Sequence, residues 1–416
     1  MRKFSSEFLN YFNMKNYILI ILIALSINAQ AQSVVWSKKC HDQQRETYGV
    51  AYSIDGSKVI SGSECHPASI RLWDAQNGDM IWDYNVGNVL MCQTSVKMSA
   101  SGQYVGSMEE SGNLIILQHN TGNNPTLLYT INVGSGGSYS LDFSPDNNYV
   151  AVDGNSNKVK IYKLSDGNLE KTLTGHAGDV ISVVYSADGS KILSGSADNT
   201  AKLWDTSGTM INTIPNLGSD VVCVRFNADG SKFFVATKDG LIKIYDTVTY
   251  AELASISSPE TLNQIAVSTD GTWLIAGCDT SARLFSTVTG ANVATFNTLN
   301  GGKVYSVAFE PNGTKVVIGN SNGDVTVFSL LNIVSGIDAN KTSLSFSMYP
   351  NPTANFLVFS REIVNHDFMI YDSKGSLVMS GVLSQNKVDV SALLNGNYLI
   401  KISNESSTGI KSFIKN

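Results

Sequence analysis

Charge is scarce in this 416-residue chain: Asp, Glu, Lys and Arg together make up 15% of it, against about 25% in an average soluble domain. So thin a complement excludes a coiled coil, whose surface is dense in Glu and Lys, and a disordered acidic tail. The net charge of −6 lacks the basic balance that holds a protein to a phosphate backbone, which argues against a nucleic-acid binder. Cysteine is also sparse. The five (Cys40, Cys65, Cys92, Cys223 and Cys278) form no C-x-x-C pair and no zinc spacing, and an odd number leaves at least one thiol unpaired. No apolar run reaches the roughly 20 residues that a membrane-spanning helix needs. Prolines number 8 against 35 glycines, and that surplus of glycine asks for a structural cause.

What is present begins with an export signal. Lys15 precedes the apolar run YILIILIALSI (Tyr17 to Ile27), and Ala29-Gln30-Ala31 follows. A basic start, a short apolar stretch and an A-x-A site describe a secretory signal peptide over residues 1–31, cleaved after Ala31, with Met14 as an alternative start.

A repeat organises the middle of the chain. A turn dipeptide recurs at Asp55-Gly56, Ser101-Gly102, Asp146-Asn147, Asp188-Gly189, Asp229-Gly230, Asp270-Gly271 and Asn312-Gly313, at intervals of 41 to 46 residues. Each lies between short alternating runs such as VISVVY and KILSGS. Such a dipeptide between two strands predicts a hairpin with both central residues at positive φ. A third strand follows each hairpin (SIRLWD, TAKLWD, DVTVFS) and a fourth leads onward. Four short antiparallel strands per unit predict the blades of a β-propeller. The last unit, Gly301 to Leu330, supplies only three strands, while SVVWSKKCH near the amino end reads as a fourth strand without the other three. Joining them closes the ring, leaves no exposed edge, and divides Ser33 to Leu330 into seven blades of about 43 residues.

The repeat resembles the WD-repeat family. The best-matched unit carries Gly175-His176, Ser194-Gly195-Ser196, Asp198 and Trp204-Asp205. The resemblance implies a buried structural relay of His176, Ser194, Asp198 and Trp204 tying the strands of that blade together. Trp73-Asp74 repeats the last element in the first blade. Elsewhere the tryptophan position holds Leu117, Tyr162, Tyr245, Phe285 or Phe328, so those blades should rely on apolar packing.

After a linker over 331–345, residues 346–416 show their own strand alternation, with turn chemistry at Lys374-Gly375 and Asn395-Gly396. This predicts a small β-sandwich. Tyr349-Pro350-Asn351-Pro352, IYDSKGSLV, VDVSALLNGNYLIKI and Lys415 resemble, in order, the C-terminal sorting domain of the type IX (Por) secretion system. That resemblance implies export through the type IX machinery of a Bacteroidota-type Gram-negative cell, ending in release or surface attachment. The fold class is thus all-β: a seven-bladed propeller over 32–330 followed by a sorting domain.

No catalytic constellation is found. Of five histidines, His41 and His176 fall at the Gly-His positions of the repeat, and His66, His119 and His366 have no patterned partner. Gly319-Asn320-Ser321-Asn322-Gly323 fits G-x-S-x-G but lies in a hairpin turn rather than between a strand and a helix. Each Asp-Gly turn brings one carboxylate, too few for calcium, and there is no phosphate loop or dinucleotide fingerprint. The expectation is a non-catalytic module without metal or cofactor. Its ligand, a protein, peptide or glycan, would sit at the top face, where loops enter the innermost strands. Counting back from the turns places Glu46, Asp179, Asp220, Thr261 and Lys303 on that rim, with Tyr48, Tyr139 and Tyr305 as aromatic anchors. An excess of acids there would favour a cationic ligand. The alternatives are an exported propeller hydrolase or lyase, or a structural component of the envelope. In the resembled fold Cys40 and Cys65 share a face, which implies a disulfide locking the closure.

Overall fold

The computed structural model describes residues 33–40, 46–63, 68–87, 92–120, 124–134, 140–154, 157–298, 301–330, 342–343, 346–360, 363, 366–372, 377–404 and 407–416. The signal segment over 1–31, His41, Cys65, His66 and Tyr139 lie outside them. Among the described residues every regular element is a strand.

Seven four-stranded sheets follow one another along the chain. The fourth sheet is typical: Val180–Tyr185, Lys191–Ser196, Ala201–Asp205 and Met210–Ile214, hydrogen-bonded in that order and antiparallel throughout. Its second strand is buried almost along its whole length, while its outer strand is exposed or half-buried at all but its last residue, the gradient expected from the middle of a blade to its rim. The first strands form a ring, each touching its neighbours' first strands, and the seventh touches the first. The seventh sheet is completed from the other end of the chain: Ser33–Lys39 lies beside Asp324–Ser329, outside Lys315–Asn320 and Val304–Phe309. Trp36 anchors it, 6% exposed, with its Nε1 donating 3.0 Å to the Ala75 carbonyl of the first blade.

The hairpin turns differ from the two-residue form expected from their dipeptides. Only the second residue has positive φ (Gly56 at 70°, Asn147 at 60°, Gly189 at 71°). The turn starts two residues before the Asp: Gly189 N–H donates 2.9 Å to the Ser186 carbonyl, and Ser186 Oγ donates 2.6 Å to Asp188. The Asp is used as an acceptor that organises the loop, and only the following position needs the left-handed region.

Other glycines admit the neighbouring blade. A Cβ on Gly277 would lie 2.8 Å from the Val304 carbonyl oxygen, and one on Gly319 would lie 2.9 Å from Thr47 Cγ2. The second strand of one blade thus rests directly on the inner strand of the next. At the tryptophan position Leu117, Tyr162, Tyr245, Phe285 and Phe328 are all buried and serve as apolar filling between blades.

The carboxyl-terminal domain has two sheets. One orders Thr342–Ser343, Ser407–Lys415, Gly396–Ser403, Asp367–Asp372 and Leu377–Val382, and the other Met348–Tyr349, Phe356–Phe359 and Lys387–Asp389. Leu357, Phe359, Ile370, Ile400 and Phe413, drawn from both sheets, share one core, which makes the domain a sandwich. The Asn-Pro motif is fastened to the last strand: Ile414 N–H donates 2.9 Å to the Asn351 side chain, and Thr353 N–H donates 2.8 Å to the Ile414 carbonyl.

Candidate functional site

An inner strand leaves one edge without a partner strand, and its N–H groups must bond elsewhere. Side chains of the preceding blade supply the acceptors. Ser140 Oγ accepts from Val183 N–H at 3.1 Å, Ser182 Oγ from Val224 N–H at 3.1 Å, Gln264 Oε1 from Val307 N–H at 2.8 Å, and Ser306 Oγ from Val50 N–H at 3.0 Å. This belt holds adjacent inner strands together around a central cavity of about 1080 Å³ lined from one end of those strands to the other. That is at the upper end of small-molecule pocket sizes.

A β-bulge recurs at the start of the inner strands. In six of them the pairing skips one residue, as between Val180 and Ser182 or between Val304 and Ser306. The skipped residue is Tyr48, Thr94, Ile181, Val222, Asn263 or Tyr305, and all six line the cavity. An extra residue in a strand re-aims its side chain, and here the result is an upper ring facing the channel. Tyr48 and Tyr305 pack with ring centroids 4.6 Å apart across the seam between the seventh and first blades. Tyr48 donates its hydroxyl to Glu46. Burial and then the Glu46 carboxylate push the Tyr48 phenol above its usual range.

The rim residues expected from the sequence are used unequally. Asp220 lines the cavity, together with Glu110 and Lys238. Glu46 accepts from Tyr48 and is not part of the lining. Asp179 is exposed beyond the lining. Thr261 and Lys303 both turn to Asp279, Thr261 through its hydroxyl and Lys303 through an ion pair of 3.3 Å. At the mouth the lining thus holds two acids, Asp220 and Glu110, against Lys238, a smaller excess of acid than the three acids and one lysine of the counted positions implied.

Three residues further along the inner strands lies a lower ring that the sequence reading missed. It contains Lys97, Asp142 and Arg225. Lys97 Nζ is 3.9 Å from Asp142 Oδ1, and Asp142 Oδ2 accepts from Tyr185 N–H at 2.9 Å. Burial lowers the Lys97 pKa and raises that of Asp142, each opposed by the charge of the other. The signal was a charged residue four positions before the turn, where other blades have Ala51, Val184, Ala266 or Ala308.

The relay residues of the fourth blade come together as the resemblance implies. His176 bonds Ser194 Oγ through Nε2 at 2.8 Å and Asp198 through Nδ1 at 2.9 Å, and Trp204 Nε1 donates 2.9 Å to the same Ser194 oxygen. Burial holds the His176 pKa below its ordinary value, against the pull of Asp198. Burial alone would raise Asp198, but hydrogen bonds from Thr200, Ala177 N–H and His176 outweigh it and hold the carboxyl at about 2.

In the first blade a cysteine occupies the histidine's place. Cys40 Sγ lies 3.5 Å from Ser61 Oγ, which accepts from Trp73 Nε1 at 2.8 Å, and Thr47 Oγ1 donates 3.3 Å to the sulfur. Cys40 is a free, buried thiol, raised in pKa by that burial. The disulfide expected from the resemblance thus gives way, at Cys40, to a hydrogen-bonded thiol; Cys65 lies outside the described residues. In the sixth blade Glu260 does comparable tying, accepting from Thr280, Ser281 and both Nε and Nη2 of Arg283.

Ser321 of the G-x-S-x-G string sits in a hairpin turn between two strands and accepts from Lys303 N–H at 3.0 Å. Among the described residues no group of three or more His, Cys, Asp or Glu is placed to hold a metal ion.

Residues 167–205, 208–246 and 252–286 match the WD domain, G-beta repeat, and residues 347–416 match the secretion system C-terminal sorting domain. The chain is 26% identical over 191 residues to the serine-threonine kinase receptor-associated protein of Gallus gallus, covering 45% of this chain and 54% of the relative. It is 31% identical over 147 residues to the protein of that name from Dictyostelium discoideum, covering 32% and 43%. It is 42% identical over 67 residues to the Poly(A)+ RNA export protein of Schizosaccharomyces pombe, covering 16% and 19%. The chain thus spans about a fifth to a half of the length of these relatives. It carries WD repeats on a propeller and a type IX secretion sorting domain at its carboxyl end.

Proposed function

We propose that this is an exported, non-catalytic recognition module that holds a protein, peptide or glycan at the mouth of its propeller, on the outer surface of a Gram-negative cell or after release from it. The sorting domain supports export by the type IX route, and the WD repeats support a scaffold for partners. The observation that carries the reading is the mouth itself. Bulges in successive inner strands turn Tyr48, Asn263 and Tyr305 toward one opening, and Asp220, Glu110 and Lys238 surround it. Aromatic anchors inside a polar rim are the composition of a binding hot spot. Glu46 belongs to the site by fixing Tyr48, while Asp179, Thr261 and Lys303 form its outer margin.

The test is capture from outer-membrane extract by the purified full chain, compared with Tyr48→Ala/Tyr305→Ala and with Asp179→Ala/Asp220→Ala. A specific set of partners held by the wild type and lost from either variant is expected. Identical capture by all three proteins would place recognition elsewhere on the molecule.

A further inference from the structure

The channel has a second mouth, at the end where the inner strands run into the hairpin turns. In six of the seven turns the residue just before the Asp position is apolar (Ile54, Ala100, Pro145, Ala187, Ala228 and Pro311). Ile54, Ala228 and Pro311 line the cavity there, with Phe226 and Phe309 from the ends of two inner strands. Ile54 is 67% exposed, so its side chain adds nothing to the core. The turns brace one another into a rim. Ser101 N–H donates 3.0 Å to Asn147 Oδ1, and the Thr269 hydroxyl donates 2.7 Å to the Pro311 carbonyl. Contiguous exposed apolar surface of this kind, rimmed by polar residues, marks an interaction site.

The charge beside the collar says what kind of partner it fits. Next to the collar residues in the chain stand Asp55, Asp146, Asp188, Asp229 and Asp270. Burial alone would raise Asp55, but hydrogen bonds from Ser53 and Ser57 outweigh it and hold the carboxyl at about 2. Bonds from Ser186 and Ser190 hold Asp188 at about 2 as well. The turn itself needs an acceptor oxygen and no charge: Asn312 accepts from Thr314 N–H at 2.9 Å as Asp188 does from Ser190 N–H at 3.0 Å. The lysines of this end are matched from elsewhere. Lys58, Lys191 and Lys232 lie opposite Asp74, Asp205 and Asp246 of the third strands, and Lys315 pairs with Glu310 at 2.9 Å. The lower ring, deeper in the channel, adds Lys97 and Arg225 around Asp142, and the five turn carboxylates outnumber them. Asp146 and Asp188 also line a cleft of about 350 Å³ between the third and fourth blades, together with Tyr149 and Tyr185. Lys171 in the same lining donates 2.5 Å to the Thr206 carbonyl, and Glu170 pairs with Lys163 at 2.9 Å. Carboxylates beside tyrosine rings suit an ammonium or guanidinium group.

We propose that this lower mouth docks a basic segment of a partner protein, with an apolar side chain seated in the collar and lysine or arginine side chains over the turn carboxylates. An apolar centre within a polar rim is the anatomy of a protein interface, and the sign of the rim selects the partner. The site lies at the opposite end of the inner strands from Tyr48 and Tyr305 and does not rest on recognition at that mouth.

Fluorescence anisotropy of the labelled peptide KKLFKK with the purified full chain tests the proposal, with KKSSKK and EELFEE as comparison peptides. Saturable binding of KKLFKK is expected, weaker by about tenfold for KKSSKK and absent for EELFEE. Ile54→Ser should weaken KKLFKK by about tenfold. Asp188→Asn/Asp229→Asn keeps the acceptor oxygen of each turn, as Asn312 does, and should weaken KKLFKK by about fivefold and flatten its salt dependence. Tyr48→Ala/Tyr305→Ala, at the upper mouth, should leave it unchanged. Absence of saturable KKLFKK binding would overturn the proposal. So would equal binding of KKSSKK or EELFEE, an affinity unchanged in Ile54→Ser or in Asp188→Asn/Asp229→Asn, or binding lost in Tyr48→Ala/Tyr305→Ala, which would move the peptide to the upper mouth.

Discussion

Individual side chains in this ring are held by short polar chains, and these have measurable consequences. His176→Leu leaves Ser194 and Asp198 short of a partner. Orphaning a buried polar group costs about 1–3 kcal/mol, to be read from the urea midpoint. The same residue gives the protein a pH dependence. Because burial lowers the folded-state pKa of His176, the unfolded chain takes up the proton first as pH falls. Stability should therefore decline as pH drops through the ordinary histidine range near about 6.5. The slope should be shallower in His176→Leu, with His119, also lowered by burial, contributing what remains. Cys40 makes a second residue-scale case. Its buried, protonated thiol should resist alkylation in the native protein and react once the chain is unfolded in urea without reductant. Native protection that persists in urea would instead mean a disulfide.

At the scale of the strand and turn, two kinds of glycine separate cleanly. Gly277→Ala places a methyl group 2.8 Å from the Val304 backbone oxygen, which nearby side-chain rotation cannot relieve, so overpacking should cost about 1–3 kcal/mol. Gly230→Ala meets nothing within 4 Å but must hold φ near 72°, a left-handed strain of about 1–2 kcal/mol. Urea midpoints of the two variants would test both origins. The sequence made the positions of the turns, though not their conformation, the blade number and the relay legible, because these depend on local residues at a fixed period. It did not show the upper ring as a ring, since a bulge shifts the face of Tyr48 or Asn263 without altering the alternation around it. Arg225 and Lys97 were hidden for a related reason. A charged residue in an inner strand reads as solvent-facing until the blades are assembled and its side is found to be the channel. Cys40 replacing a histidine, and Glu260 tying a blade without one, follow from three-dimensional substitution that a one-dimensional motif does not record.

For the molecule as a whole, the strand Ser33–Lys39 matters most. Trp36→Ala removes its buried anchor, a loss of about 3–5 kcal/mol for a truncated buried tryptophan. It should also loosen the strand from Asp324–Ser329, whose free edge is then open to pairing with another chain. Sedimentation should show a concentration-dependent increase in mass for the variant and a monodisperse species for the wild type.

The same strand imposes an order on biogenesis. It is synthesised first, yet its partner Asp324–Ser329 arrives nearly three hundred residues later, so the earliest strand waits longest, and closing so long a loop is slow. Only after that partner does the sorting domain follow. An export apparatus that reads the tail therefore meets a chain whose entire ring has already been made, and the tail's position doubles as a completion mark for the propeller.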